Sequence, residues 1–254
     1  MVGQPQISLL QPFSVMGLPI HLTEDYVRWL VTRAHQRQGC HVVTLNAEMT
    51  MQAEQSDRLA KIIQAAELII PDGAGIVLYL KLYGKQVERR PGIELAEGLL
   101  REFGTGALGP VFFYGGQPGV AEQAAQTWQK TLPDLPLAGI QHGFLKPEEQ
   151  AAFDQHLRSL QPALILVGLG VPRQEFWIEA HRHLCPNAIW IGVGGSFDIW
   201  AGTKDRAPEF FRNNHLEWLY RLYQEPWRWR RMMALPQFAW RSLLYRLKLK
   251  GGVV

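Results

Sequence analysis

Ala163-Leu164-Ile165-Leu166-Val167-Gly168-Leu169-Gly170-Val171-Pro172-Arg173-Gln174-Glu175 carries the pattern of one α/β unit. Its first five residues are apolar without a break, which reads as a strand buried on both faces. Glycines then end the strand, and residues 173–183 read as a helix. A buried strand, a glycine loop and a helix make up the repeating unit of a parallel α/β sheet. The unit recurs in both directions along the chain. Residues 41–45, 68–70, 111–114, 137–140 and 188–193 read as further strands, and a mostly apolar run at 15–18 opens the series. Helical patterning separates them: a helix capped by Thr23 and running to Arg37, then 47–66, 75–83, 94–103, 120–131 and 147–160. The fold class is α/β: an open, mainly parallel sheet with helices on both faces.

After Gly202 the strand signal stops. Residues 203–254 read as two or three short helices broken by Pro226 and Pro236, appended to a body of residues 1–202. The appendage differs from the body in charge. From 201 to 250 there are 11 Lys/Arg against 4 Asp/Glu, so a chain of net +3 has a net-acidic body. Four of the nine tryptophans, Trp218, Trp227, Trp229 and Trp240, lie there too. Arginine interleaved with indole suits an anionic membrane surface, a nucleic acid or a phosphate-rich substrate. An acidic body disfavours nucleic acid. Trp218, Leu219 and Leu222 have the spacing of a packed helix face.

At 254 residues and 47% apolar content, the chain can build a full core without staples. Cys40 and Cys185 form no CxxC pair, so a reducing compartment is expected. The N-terminus lacks the basic and apolar regions of a signal peptide. The longest apolar run, 163–171, falls well short of the ~20 residues that span a bilayer. A cytoplasmic protein, peripheral on the membrane, is the expectation. Apolar helix faces leave room for a homo-oligomer.

Ligands of an open parallel sheet bind beyond the carboxyl ends of its strands. Five strands end in unusual sequence: Thr44-Leu45-Asn46, Pro71-Asp72-Gly73, Tyr114-Gly115-Gly116, the Gly168–Gly170 loop that leads to Gln174-Glu175, and the run from Gly194-Gly195 to Asp198. Glycine loops before helix N-termini favour anions such as a diphosphate. None matches GxGxxG, so a nucleotide site of another kind than a dinucleotide site is indicated. Asp72, directly after a buried strand, is the candidate general base; an Asp-Gly turn that caps the next helix is the alternative. Thr44 and Asn46 line the same rim, though a strand-end Asn also serves as an N-cap. Gln174 and Glu175 open a helix, where Glu also suits the dipole. Asp198 either meets a ribose or base edge or simply ends a strand. Arg89-Arg90 either holds a phosphate or lies solvated.

Other chemistries are disfavoured. His181 and His183 sit two apart on a helix and point away from each other, so they do not form a metal site. No Asp-x-Asp is present to hold a divalent ion against a diphosphate. There is no GxSxG and no GxxxxGK[ST]. No cofactor is expected.

These motifs, in this order, resemble the WecG/TagA/CpsF family of bacterial glycosyltransferases. The resemblance runs from about Pro12 to Leu247. Its most specific parts are Thr44-Leu45-Asn46, Pro71-Asp72-Gly73, Gly168-Leu169-Gly170-x-Pro172-x-Gln174-Glu175, Gly192-x-Gly194-Gly195-Ser196-Phe197-Asp198 with Gly202, Arg206-Ala207-Pro208, and Leu216–Leu222 with Glu225-Pro226.

The resemblance implies a Rossmann-like core with a C-terminal helical appendage. It implies inverting, metal-independent transfer of a sugar, often N-acetylmannosamine or its uronic acid, from a UDP-sugar to a polyprenyl-diphosphate-linked saccharide. The product would feed teichoic acid, capsule or exopolysaccharide synthesis. Asp72 matches the family's base. Thr44, Asn46 and Gln174 match pocket residues, and Asp198 matches a nucleotide contact. Arg221, Arg228 and Arg231 match appendage arginines that reach the diphosphates. The family's Arg-x-x-Gly corresponds to Arg89 by spacing to Gly92, and to Arg90 by distance from Asp72.

Overall fold

In a computed structural model, residues 10–250 are described, with side chains through 247. The reading of the N-terminus as leaderless falls largely on residues outside this range. The chain opens with a hairpin, β1 (Gln11–Val15) and β2 (Leu18–Leu22). The apolar run at 15–18, expected to be a strand, is the turn of this hairpin. Met16 and Gly17 both take positive φ (52° and 86°), as a tight two-residue turn requires.

Helix α1 (Tyr26–His35) follows. Its cap is Asp25 rather than Thr23: the Asp25 carboxylate accepts from the Arg28 N–H at 2.9 Å. Then come β3 (Cys40–Leu45), α2 (Ala47–Glu54), α3 (Asp57–Ala65) and β4 (Leu68–Pro71). The single helix expected over 47–66 is two. Ser56 accepts from the Leu59 N–H and so starts the second. Next are α4 (Ala74–Leu82), α5 (Gly92–Phe103), β5 (Val111–Gly115), α6 (Val120–Thr131), β6 (Leu137–Gln141) and α7 (Pro147–Leu160). The body closes with β7 (Leu164–Gly168), α8 (Arg173–His181), β8 (Ile189–Gly192) and α9 (Ser196–Trp200).

Strands β3 to β8 form one parallel sheet in the order β4-β3-β8-β7-β5-β6. Side chains of α1, α5, α6 and α9 pack on one face, around Leu30, Leu99, Ala124 and Trp200. On the other face α2, α3 and α4 pack around Met49, Leu59 and Ile76, and α7 and α8 pack around Phe153 and Ile178. The expected α/β class, with helices on both faces, is what the chain adopts. The hairpin protects the open edge of the sheet: the Ile69 N–H of β4 donates to His21 Nδ1 at 3.0 Å.

The tail forms α10 (Glu209–Asn213), α11 (Glu217–Gln224), α12 (Trp229–Met232) and α13 (Ala234–Lys250). Pro236 does not break it. It is the third residue of α13, where its missing N–H has no intrahelical acceptor. Ala234 and Phe238 are buried against α4, with the Phe238 and Tyr79 rings 6.0 Å apart. Among the described residues, no helix is long and apolar enough to cross a membrane.

Candidate functional site

Strand β4 ends at Pro71, but its ladder continues one residue further. The Asp72 N–H donates to the Leu45 carbonyl at 2.9 Å. This places the Asp72 side chain at the carboxyl rim, beside the end of β3. Asp72 does not cap α4: that helix starts from Gly73, at φ 85°, with no side-chain cap bond. Its carboxylate instead lies near the Gly92 N–H at the start of α5, which favours its charged form. A Cβ at position 92 would stand 2.8 Å from Thr44 Cγ2, so α5 meets the end of β3 through a glycine. Removal from water pushes the Asp72 carboxyl up to about 6; Arg89 and Arg221 pull the other way, and Glu217 adds to the rise.

Asp72 faces a cavity of about 260 Å³ over the ends of β3, β4, β7 and β8. Of the residues singled out in the sequence, Thr44, Asn46, Asp72, Gly73, Arg89, Gly170, Gln174, Gly194, Gly195, Arg221, Arg228 and Arg231 line it. Asn46 both lines the cavity and caps α2, its Oδ1 accepting from the Met49 N–H at 2.9 Å. Gln174 is buried, and its Oε1 accepts from the Gly194 N–H at 3.0 Å.

The structure brings Arg89 to the cavity and turns Arg90 away. Arg90 reaches the Glu24 carbonyl and Glu88, beside a separate hollow formed with Lys85 and Gln86. Other candidates lie outside the cavity. Gly115, Gly116 and Gly168 hold the ends of β5 and β7 together: the Gly116 N–H donates to the Gly168 carbonyl, and a Cβ at 115 would stand 2.5 Å from that same oxygen. Asp198 pairs with Lys204 at 3.6 Å, one turn below Gly195. Arg206 pairs with Glu94 of α5. Glu175 is wholly buried beneath the cavity and meets His41.

Four arginines and three carboxylates line the cavity. Glu217 joins two of the arginines, Arg89 and, at 2.5 Å, Arg221. Arg228 is held by Glu225 at 2.6 Å, and Arg231 by Glu48 at 2.7 Å. Burial raises the Glu217 carboxyl, but Arg221 and Arg89 together pull it below the ordinary range. Arg228 Nε is buried without a hydrogen-bond partner among the described residues. Glu48, Glu217, His215 and Trp218 also line the cavity; sequence reasoning gave none of them a role in the site and read Trp218 as part of a packed helix face. The one available signal was the i, i+4 spacing of Glu217 and Arg221. Among the described residues, no three His, Cys, Asp or Glu side chains gather as a metal site.

The arrangement is one carboxyl group able to exchange a proton near neutrality, facing arginines that can neutralise an anionic leaving group. Comparison with known proteins fits this geometry. The family model described as "Glycosyl transferase WecG/TagA/CpsF family" matches residues 13–252. The chain is 38% identical over 208 residues to an N-acetylglucosaminyldiphosphoundecaprenol N-acetyl-beta-D-mannosaminyltransferase of Bacillus spizizenii (strain ATCC 23059 / NRRL B-14472 / W23), covering 82% of this chain and 80% of the relative. It is 31% identical over 205 residues to a protein of the same name from Bacillus subtilis (strain 168), covering 80% and 79%. The chain belongs to the WecG/TagA/CpsF glycosyltransferase family.

Proposed function

We propose that the protein transfers N-acetylmannosamine from UDP-N-acetylmannosamine to a polyprenyl-diphosphate-linked N-acetylglucosamine, with inversion and without a metal ion. The observation that carries this reading is the position of Asp72, a carboxyl of raised pKa among four arginines contributed by both body and tail. The relatives' names supply the sugar and the acceptor class.

In this mechanism the acceptor hydroxyl gives its proton to the Asp72 carboxylate as its oxygen attacks the anomeric carbon. The bond from that carbon to the diphosphate oxygen breaks, and its electron pair leaves with UDP. Arg221, Arg228 and Arg231 take the charge that develops on the diphosphate. Thr44, Asn46 and Gln174 hold the sugar and diphosphate in the line of attack. Arg89 holds Glu217, and through it Arg221.

The acceptor's prenyl chain lies in a bilayer, so the enzyme must meet a membrane. The tail offers a suitable surface on the inner, cytoplasmic leaflet. Tyr223, Trp227, Trp229 and Trp240 are exposed, with Arg230 and Arg241 among them. Indole and guanidinium both favour the headgroup zone of an anionic leaflet.

A panel of UDP-sugars, offered with a short-chain polyprenyl-diphosphate-N-acetylglucosamine, tests the reading. N-acetylmannosamine is expected to be transferred fastest. Preferred transfer of glucose or a uronic acid would keep the enzyme class and replace the donor. No transfer from any UDP-sugar would overturn the reading.

A further inference from the structure

We propose that Glu175 and His41 form a buried brace that fixes the Gln174 carboxamide at the wall of the cavity, and are positioning residues for the reaction. The reaction itself rests on the function proposed above.

The pair is costly where it stands. Glu175 is 0% and His41 1% exposed, and His41 Nε2 lies 2.8 Å from Glu175 Oε2. Desolvating two ionisable groups is rarely repaid fully by their attraction, and an apolar pair of similar volume commonly does as well or better. The surroundings would accept such a pair. Val43 and Leu45 alternate with His41 along β3 and point to the same apolar layer. Core packing therefore does not account for a carboxylate and an imidazole at these positions.

The hydrogen bonds supply a reason. Glu175 Oε1 accepts from Gln174 Nε2 at 3.0 Å, and Gln174 Oε1 accepts from the Gly194 N–H at 3.0 Å. A backbone N–H only donates, so it takes the amide oxygen, and the amide nitrogen, itself only a donor, is left to Glu175 Oε1. Gln174 is thus forced to turn its oxygen to Gly194 and its nitrogen to Glu175. Its amide orientation follows from the chemistry of its partners, not from packing. His41, bound to the other carboxylate oxygen, keeps the Glu175 carboxylate from rotating. Gln174 itself lines the cavity, so the orientation of its carboxamide sets what it presents there.

Two backbone features accommodate the brace. A Cβ at position 192 would stand 2.1 Å from Gln174 Nε2 and 3.0 Å from Glu175 Oε1, so β8 carries glycine there. Gly194 takes φ 52°, the left-handed conformation that turns its N–H to Gln174. A strand, a helix and a loop thus converge on one carboxamide.

The test is a double-mutant cycle in the full-length protein, using Glu175→Leu and Gln174→Ala, read as kcat/KM for sugar transfer and accompanied by thermal unfolding and crystal structures. Glu175→Leu is expected to lower kcat/KM about 10- to 100-fold, the effect of one lost or misdirected hydrogen bond in a transition state. In the Gln174→Ala background the same change should cost less than about threefold, because Glu175 acts only through Gln174. Glu175→Gln, whose amide can still accept from Gln174 and donate to His41, should keep activity within about fivefold of wild type. The Glu175→Leu structure should show the Gln174 carboxamide off Gly194. An equal loss in both backgrounds, or an unmoved Gln174, overturns the brace. A wild-type protein without transfer activity would instead sink the proposed function, and the Gln174 position in the Glu175→Leu crystal would still decide the brace. If Glu175→Leu does not fold, the Glu175→Gln and Gln174→Ala arms decide it: a loss in Glu175→Gln as large as in Gln174→Ala contradicts the account.

Discussion

Arg89, in the loop before α5, forms an ion pair with Glu217, the first residue of α11, and each side chain is only 10% exposed. The second oxygen of Glu217 takes Arg221. One carboxylate of the tail therefore holds an arginine of the body and an arginine of the tail beside Asp72. Docking of α11 and assembly of the site are the same event. Glu217→Ala should lower kcat/KM at least about tenfold and cost about 3 kcal/mol, the usual result of leaving a buried charge unpaired. Urea unfolding and steady-state rates check this. The carboxyl is held below its unfolded pKa, so the contribution is present above about pH 4.3 and lost as pH falls further.

Asp72 sets a cost that runs the other way. Its folded pKa lies above its unfolded value, so protonated Asp72 carries no penalty and ionised Asp72 does. Stability should fall between about pH 4 and about pH 6 on this account. Asp72→Asn should match wild type at pH 4 and exceed it by about 1–3 kcal/mol at pH 7, after allowing for solvent screening. Thermal unfolding of both proteins at the two pH values measures the difference.

The same group should shape the rate. As the base, Asp72 must be ionised, so kcat/KM should rise with unit slope as pH increases and level off above about 6. The limb should vanish in Asp72→Asn. A pH profile on a soluble acceptor measures this without interference from the membrane.

Trp227, Trp229 and Arg230 do not line the cavity, so membrane contact and chemistry can be separated. Replacing each by alanine should weaken binding to anionic vesicles, by roughly fivefold for the arginine at about 1 kcal/mol per basic residue. Turnover of a soluble short-chain acceptor should change less than about twofold. Truncation at Asn213 should abolish both, because it removes Glu217, Arg221, Arg228 and Arg231. Vesicle sedimentation at low and high salt, beside the turnover assay, tests the separation.

The parallel sheet was legible because each strand is a short run of unbroken apolar residues, and such runs have few alternatives. The hairpin was not, because its turn depends on left-handed backbone at Met16, a residue that gives no such signal. Asp72, Thr44 and Gln174 were legible as strand-end and loop-end polar groups. The choice between Arg89 and Arg90 was not. Adjacent side chains in a loop diverge according to local backbone, and spacing carries no information on that. Gly115, Gly116 and Gly168 read as ligand loops; they lie outside the cavity, where two strands approach closely. Glu217 reads in sequence as an ordinary first-turn acid; its role depends on an arginine 128 residues away.

The proposed mechanism turns on Asp72 taking the acceptor's proton in sugar transfer. The direct measurement is incorporation of label from UDP-N-acetylmannosamine into a polyprenyl-diphosphate-N-acetylglucosamine acceptor by wild type and Asp72→Asn at pH 7.5, with UDP binding followed by calorimetry. Asp72→Asn should lose at least about 100-fold in transfer rate while binding UDP within about threefold of wild type. Near wild-type transfer by Asp72→Asn would contradict the mechanism.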